Sequence, residues 1–145
     1  LSKHYLKGML DRNWGRILFI SSECAYLVPP DMISYSATKA SMHAVSRGLA
    51  HITRGTQVTS NVVVPGSTLT KGAKTFLADK AKEYNTSPEA VEKDFFNNDR
   101  TSSLLKRFAS TDEVATTIAY LCSPLSSATN GSVIKVDGGS SGGIL

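Results

Sequence analysis

The stretch that most constrains this chain is Arg16-Ile-Leu-Phe-Ile-Ser21-Ser22, a loop carrying Pro29-Pro30, and then Tyr35-Ser-Ala-Thr-Lys39. The first run is apolar, of strand length, rich in branched and aromatic residues, and closed by polar ones, which reads as a short buried strand. Tyr35 opens a helix, and Lys39 lies four residues on, hence on the same face one turn away. A strand, a loop and a helix in this order bring the Ser22 hydroxyl, the Tyr35 phenol and the Lys39 ammonium together. A phenol ordinarily titrates near about 10, and a neighbouring cation favours its ionised form. Tyr35 is thus a candidate general acid or base, with Ser22 donating a hydrogen bond to the reacting oxygen. Such a set moves a proton on or off a carbonyl or alcohol oxygen. A tyrosine lying along a lysine stem would explain the pair taken alone, so the rest of the chain must be weighed.

That rest alternates strands and helices. Residues 1–12 read as the end of a helix, apolar at Leu1, Tyr5, Leu6, Met9 and Leu10, stopped by Asn13-Trp14-Gly15. The Tyr35 helix is expected to run to about Arg54 and to end at Gly55. It carries a small-residue stripe of Ala37, Ala40, Ala44 and Gly48, beside Val45, Leu49 and Ile52. Small residues at that spacing let another helix approach closely, and part of the stripe is expected to pack against the chain's own sheet. A second strand is expected over 57–64, where Val58, Val62, Val63 and Val64 supply branched residues. Residues 70–108 break the rhythm. They are charged and helical in pattern, with Ser87 as N-cap, Pro88 at the first helical position, and Leu77, Val91, Phe95 and Phe96 as an apolar face. Ser110-Thr-Asp-Glu113 fits a capping box that starts a helix through Val114, Ile118 and Leu121. A last strand is expected over 132–136, after Asn130-Gly131.

The ordered set of Ser22, Tyr35-x-x-x-Lys39, Pro65-Gly66 and the terminal Val136-Asp137-Gly138-Gly139 resembles the short-chain dehydrogenase/reductase family, from about Asn13 to Gly139. The resemblance implies an α/β fold, the C-terminal part of a doubly wound Rossmann-type parallel sheet flanked by helices. It implies an oxidoreductase exchanging hydride between NAD or NADP and a carbonyl or alcohol, with Tyr35 as general acid/base, Ser22 orienting the substrate oxygen, and Lys39 serving proton transfer and ribose binding. Pro65 and Gly66 match the turn beside the nicotinamide, and Thr70 falls where a threonine contacts the carboxamide. Thr68 stands in the same cofactor-binding loop, where an aliphatic residue is commoner. Residues 70–108 become a substrate lid inserted in a single partial domain, 1–145. The Tyr35 helix packs across a subunit interface, implying a homodimer or homotetramer in full-length form. The family's Gly-rich pyrophosphate turn does not occur in these residues, so the N-terminal dinucleotide-binding part is expected to be missing. A truncated, non-catalytic member acting through its interface helix is the alternative reading.

Composition excludes other classes. Of 145 residues 41% are hydrophobic and 19% charged, as in a packed protein, and no run of about 18 apolar residues proposes a membrane span. The net charge of +4 is dispersed, as in Asp79-Lys80-Ala-Lys82-Glu83, which reads as a solvated helix face rather than a nucleic-acid patch. His4, His43 and His51 lack partners at ligand spacing, so no metal is expected. Cys24 and Cys122 read as two free thiols in a reducing compartment, hence a cytoplasmic protein, with Cys24 a packed loop thiol.

Overall fold

The computed structural model describes residues 1–143. Among them, six α-helices surround one parallel sheet of three strands in the order β1-β2-β3. β1 (Gly15–Ile20) pairs with β2 (Val58–Pro65) from Gly15 opposite Val58 to Ile20 opposite Val63. β3 (Val133–Val136) pairs with β2 from Val62 opposite Val133 to Pro65 opposite Val136. Parallel neighbours need long crossovers, and the helices supply them. α1 (Ser2–Asp11) precedes β1; α2 (Cys24–Leu27) and α3 (Ile33–Ile52) connect β1 to β2. α4 (Lys71–Glu83), α5 (Pro88–Asn98) and α6 (Thr111–Cys122) connect β2 to β3.

β2 is the centre of the molecule, buried along seven of its eight residues. Its valines meet the hydrophobic requirement, but Thr59, Ser60 and Asn61 are buried with them. Buried polar groups need partners, and Asn61 has two. Its Nδ2 donates to the Thr129 carbonyl at 2.8 Å and its Oδ1 accepts from the Ser132 N–H at 3.0 Å. The Asn130 side chain in turn accepts from the Ser60 N–H at 2.9 Å. These amides fix the entry of β3 against β2.

The face that α3 turns to the sheet is not its alanine stripe. Ser36, Ser46 and Thr53 are buried there, whereas Ala37, Ala44, Val45, Gly48 and Ile52 are exposed and Ala40 is half-buried. The physical reason lies across the interface: Ser46 Oγ and Ser60 Oγ are hydrogen-bonded at 3.0 Å. A polar face is matched to the polar stretch of β2, which leaves the small residues pointing outward.

Residues 70–108 leave and rejoin the body at one place. Thr68 and Ala109 form a parallel bridge, with the Leu69 N–H donating to Ala109 O (2.8 Å) and the Ala109 N–H to Ser67 O (2.9 Å). Within the excursion, Thr70 caps α4 by accepting from the Ala73 N–H, and Ser87 caps α5 by accepting from the Ala90 N–H, each at 3.2 Å. Leu77, Ala81, Val91, Phe96 and Phe108 form a core of their own. Phe95 stacks on Phe108 with centroids 5.3 Å apart, and Phe96 meets Phe108 edge-on at 5.2 Å. The excursion is a packed subunit of structure, not a loose loop.

α6 begins with the capping box read from Ser110 and Glu113: the Glu113 N–H donates to Ser110 Oγ and the Ser110 N–H to Glu113 Oε2. Arg107 adds a bidentate pair to the same carboxylate, at 2.9 and 2.7 Å. The Arg107 guanidinium first, and the Ser110 N–H second, hold the Glu113 carboxyl down to about 2. A depressed carboxyl contributes stability above its unfolded value, and that contribution is lost as pH falls. The window here runs from about 4.3, the ordinary glutamate value, down to about 2. Carbon-detected NMR titration of Glu113 is expected to place its midpoint at the low end of that window. Arg107→Gln should return it toward the ordinary value; an ordinary midpoint in the unmutated chain would show that the pair does not form in solution.

No helix among the described residues is long and apolar enough to cross a membrane. Nor do three or more His, Cys, Asp or Glu side chains gather there as a metal site would require.

Candidate active site

The loops at the C-terminal ends of parallel strands are where open α/β sheets bind ligands. The candidate residues converge on those ends. Ser22 follows β1 by two residues, and Pro65 and Gly66 close β2. The two strand ends are laced together, the Ser21 N–H donating to Val63 O at 2.8 Å and the Glu23 N–H to Pro65 O at 2.9 Å.

α3 is pinned to the same end. Lys39 Nζ donates to the Ile20 carbonyl at 2.9 Å, and Ser21 Oγ donates to the Lys39 carbonyl at 3.0 Å. His43 Nε2 shares the Ser21 hydroxyl at 2.9 Å. Burial lowers the His43 pKa, which favours the neutral ring in this contact. The helix begins at Ile33, two residues before Tyr35, because a 3-10 turn over Pro30–Met32 leads into it. Tyr35 therefore sits within the first turn, a residue 42% exposed whose ring centroid lies 5.5 Å from Lys39 Nζ, at cation–π distance. Tyr35 and Lys39 meet as their spacing requires, and Lys39 reaches the strand end from which Ser22 departs.

Ser22 Oγ accepts a hydrogen bond from the Cys24 N–H at 3.2 Å. A hydroxyl that accepts still has its own proton to donate, so this contact orients Ser22 without using the proton that the proposed role needs. Cys24 itself is a free, buried thiol, packed rather than presented. Gly66 cannot be anything larger: a Cβ there would stand 2.7 Å from the Asp137 Cα, because its N–H donates to Val136 O and the two strand ends are in contact. Thr68 Oγ1 donates to the Gly66 carbonyl at 2.9 Å, and Thr70 Oγ1 is engaged in capping α4. Both threonine hydroxyls are thus held by the turn they belong to.

A cleft of about 560 Å³ opens between Leu27, Pro29, Pro30 and Asp31 of the loop before α3 and Phe95, Asn98, Asp99, Arg100, Thr101 and Ser102 of the excursion. Ser22, Tyr35 and Lys39 are not among its lining residues, so the cleft is flanked by the Ser22–Tyr35 loop rather than floored by the triad. The donor set suits the ribose end of a nicotinamide dinucleotide: Lys39 offers an ammonium and Tyr35 a half-exposed phenol, both able to meet ribose hydroxyls.

Sequence reasoning missed Glu23 and Arg100. Glu23 is buried beside Ser22, and Arg100 pairs with it from the excursion. A glutamate directly after Ser21-Ser22 at a strand end was the one signal, and it does not announce burial.

Residues 1–141 match the sequence profile of the family described as enoyl-(acyl carrier protein) reductase. The chain is 42% identical over 138 residues to "Uncharacterized oxidoreductase YvrD" of Bacillus subtilis, covering 95% of this chain and 52% of that protein. Among solved structures, a short chain dehydrogenase/reductase family protein is 30% identical with a TM-score of 0.76, over 96% of this chain and 51% of that one. L-sorbose reductase from Gluconobacter frateurii, complexed with NADPH and L-sorbose, superimposes with a TM-score of 0.87 at 26% identity, over 99% of this chain and 54% of that one. The chain spans about half the length of the curated relatives it matches. Together with the three-stranded parallel sheet flanked by helices seen here, these matches show that the chain belongs to the short-chain dehydrogenase/reductase family of oxidoreductases.

Proposed function

We propose that this chain is the catalytic, nicotinamide-side part of an NAD(P)-dependent oxidoreductase that interconverts a small carbonyl compound and its alcohol. The supporting observation is the meeting of Lys39 with Tyr35 and with the Ile20 carbonyl at the strand end that carries Ser22. A bound nicotinamide supplies or takes the hydride. Tyr35 gives its phenolic proton to the substrate oxygen in the reducing direction and takes it back in the oxidising one. Ser22 donates to the same oxygen, stabilising the charge that develops there. Lys39 holds the ribose hydroxyls and, lying over the ring at 5.5 Å, keeps the phenol in place beside them. Pro65, Gly66, Thr68 and Thr70 line the nicotinamide side. Residues 70–108 form the substrate lid, and the pyrophosphate is bound by an N-terminal part outside these residues. An NADPH-complexed reductase among the structural neighbours supports a nicotinamide cofactor.

A second reading rests on the outward face of α3. Ala37, Ala44 and Gly48 are exposed together with Val45 and Ile52, which suits close packing against the same helix of another subunit in a homodimer or homotetramer. A non-catalytic member would act through that face alone.

The test uses a full-length form, this chain preceded by the N-terminal half its relatives carry. Loss of nicotinamide absorbance is followed with NADH and with NADPH against a panel of aldehydes, ketones and keto-sugars. Turnover with one of the two cofactors is expected. Absence of turnover, together with no binding of either dinucleotide, would sink the enzymatic reading and leave the interface one.

A further inference from the structure

The residue after Ser22 carries a buried charge that the proposed reaction does not use. The Glu23 side chain is 5% exposed, and its Oε1 accepts from Ser67 Oγ at 3.0 Å and lies 3.4 Å from Arg100 Nε. Its Oε2 is buried with no hydrogen-bond partner, and Arg100 Nε, although near the carboxylate, lacks hydrogen-bond geometry to it. The Arg100 guanidinium lies over the Phe95 ring at 5.4 Å and is 20% exposed. Of the three ion pairs among the described residues, this is the one withdrawn from solvent. Burying a carboxylate is costly unless a partner is close, and removing that partner leaves the charge uncompensated. One carboxylate therefore touches three segments. Its backbone belongs to the Ser22 turn, its N–H donates to Pro65 O, and its side chain meets Ser67 of the second turn and Arg100 of the lid.

We propose that Glu23 is a positioning residue: through Arg100 it couples the seating of the lid to the placement of Ser22 and of the Pro65-Gly66-Ser67 turn. Elsewhere the lid is attached at its base, by the Thr68–Ala109 bridge, and by the Leu104 and Leu105 N–H groups on Gly138 O. Neither attachment touches the Ser22 turn. The Arg100 contact is the one that makes a closed lid and an aligned serine a single event. The inference rests on the catalytic reading of Ser22, and deepens it.

Hydrogen exchange and steady-state kinetics of the full-length form test it with Glu23→Gln, Arg100→Gln, the double variant and Arg100→Lys. Each glutamine variant is expected to speed exchange roughly tenfold in both 95–105 and 22–32, with β2 amides unchanged as the internal control of folding. The double variant should be no faster than the faster single, since coupled residues are not additive. Arg100→Gln should raise substrate KM and lower kcat while cofactor Kd holds, and Arg100→Lys should recover part of both. Exchange confined to one segment, additive effects, or no recovery with lysine would overturn the proposal. Exchange is read without turnover, so coupled exchange in an inactive enzyme would sink the reaction and keep the coupling. An active enzyme with uncoupled exchange would do the reverse.

Discussion

Tyr35→Phe in the full-length form is expected to lower kcat by about 10²–10⁴-fold, the usual worth of a positioned acid or base. The substitution removes one oxygen. The ring stays, and with it the cation–π contact that Lys39 Nζ makes at 5.5 Å, so α3 should keep its place and cofactor affinity should hold. Lys39→Met is expected to behave differently. Lys39 Nζ also donates to the Ile20 carbonyl at 2.9 Å, which fastens α3 to the end of β1. Its loss should weaken cofactor binding, lower kcat, and reduce thermal stability by about 1 kcal/mol for the lost hydrogen bond. Stopped-flow turnover, dinucleotide titration and thermal melts separate the two variants. Near-normal kcat in Tyr35→Phe would end the acid/base role. A cofactor defect equal to that of Lys39→Met would instead show that the phenol acts by binding.

How much of this could be read in the sequence depends on what kind of physics fixed each feature. The strands expected over 16–21, 57–64 and 132–136 lie within one residue of β1, β2 and β3, because branched apolar runs between turn residues are local signals. The caps at Ser87 and Ser110 are local too, and both make the predicted bonds. α2 carries no side-chain cap, its N-cap being Glu23 in helical conformation, so nothing announced it. The face of α3 was misjudged for a different reason. Apolar periodicity assumes an apolar neighbour, yet Ser46 is buried against Ser60, and that match belongs to two elements at once. Glu23 and Arg100 stand far apart in sequence, and their pairing exists only after the excursion folds back through Ala109. The Tyr35–Lys39 contact was legible because both residues share one helical turn.

Residues 1–145 produced alone are expected to bind NADH and NADPH poorly, to show no dehydrogenase activity, and to self-associate. β1 stands at the edge of the sheet, paired only with β2 among the described residues. Its far side offers backbone donors and acceptors along an Ile-Leu-Phe-Ile run, the kind of edge that templates pairing with another chain. The arginine at its start is turned away, donating to Ser123 O and Gln57 O, so it does not guard that edge. Apolar surface adds to the tendency: α1 buries none of its residues, and Ile52 on α3 is 62% exposed. Exposed apolar side chains promote association in water where they gather into patches. Cofactor binding should fail for a separate reason. Lys39 and Tyr35 can grip a ribose, but a dinucleotide is anchored chiefly through its pyrophosphate at a Gly-rich helix N-terminus, and these residues contain no such turn. Co-expression with the N-terminal half of a relative should restore solubility by pairing the β1 edge, and cofactor binding with it. Light scattering after size exclusion and fluorescence titration of NADPH read the two effects independently. A monodisperse monomer that binds the dinucleotide at micromolar concentration would show that the edge is tolerated and the pyrophosphate anchor dispensable, and the reading of this chain as half of a catalytic unit would fall.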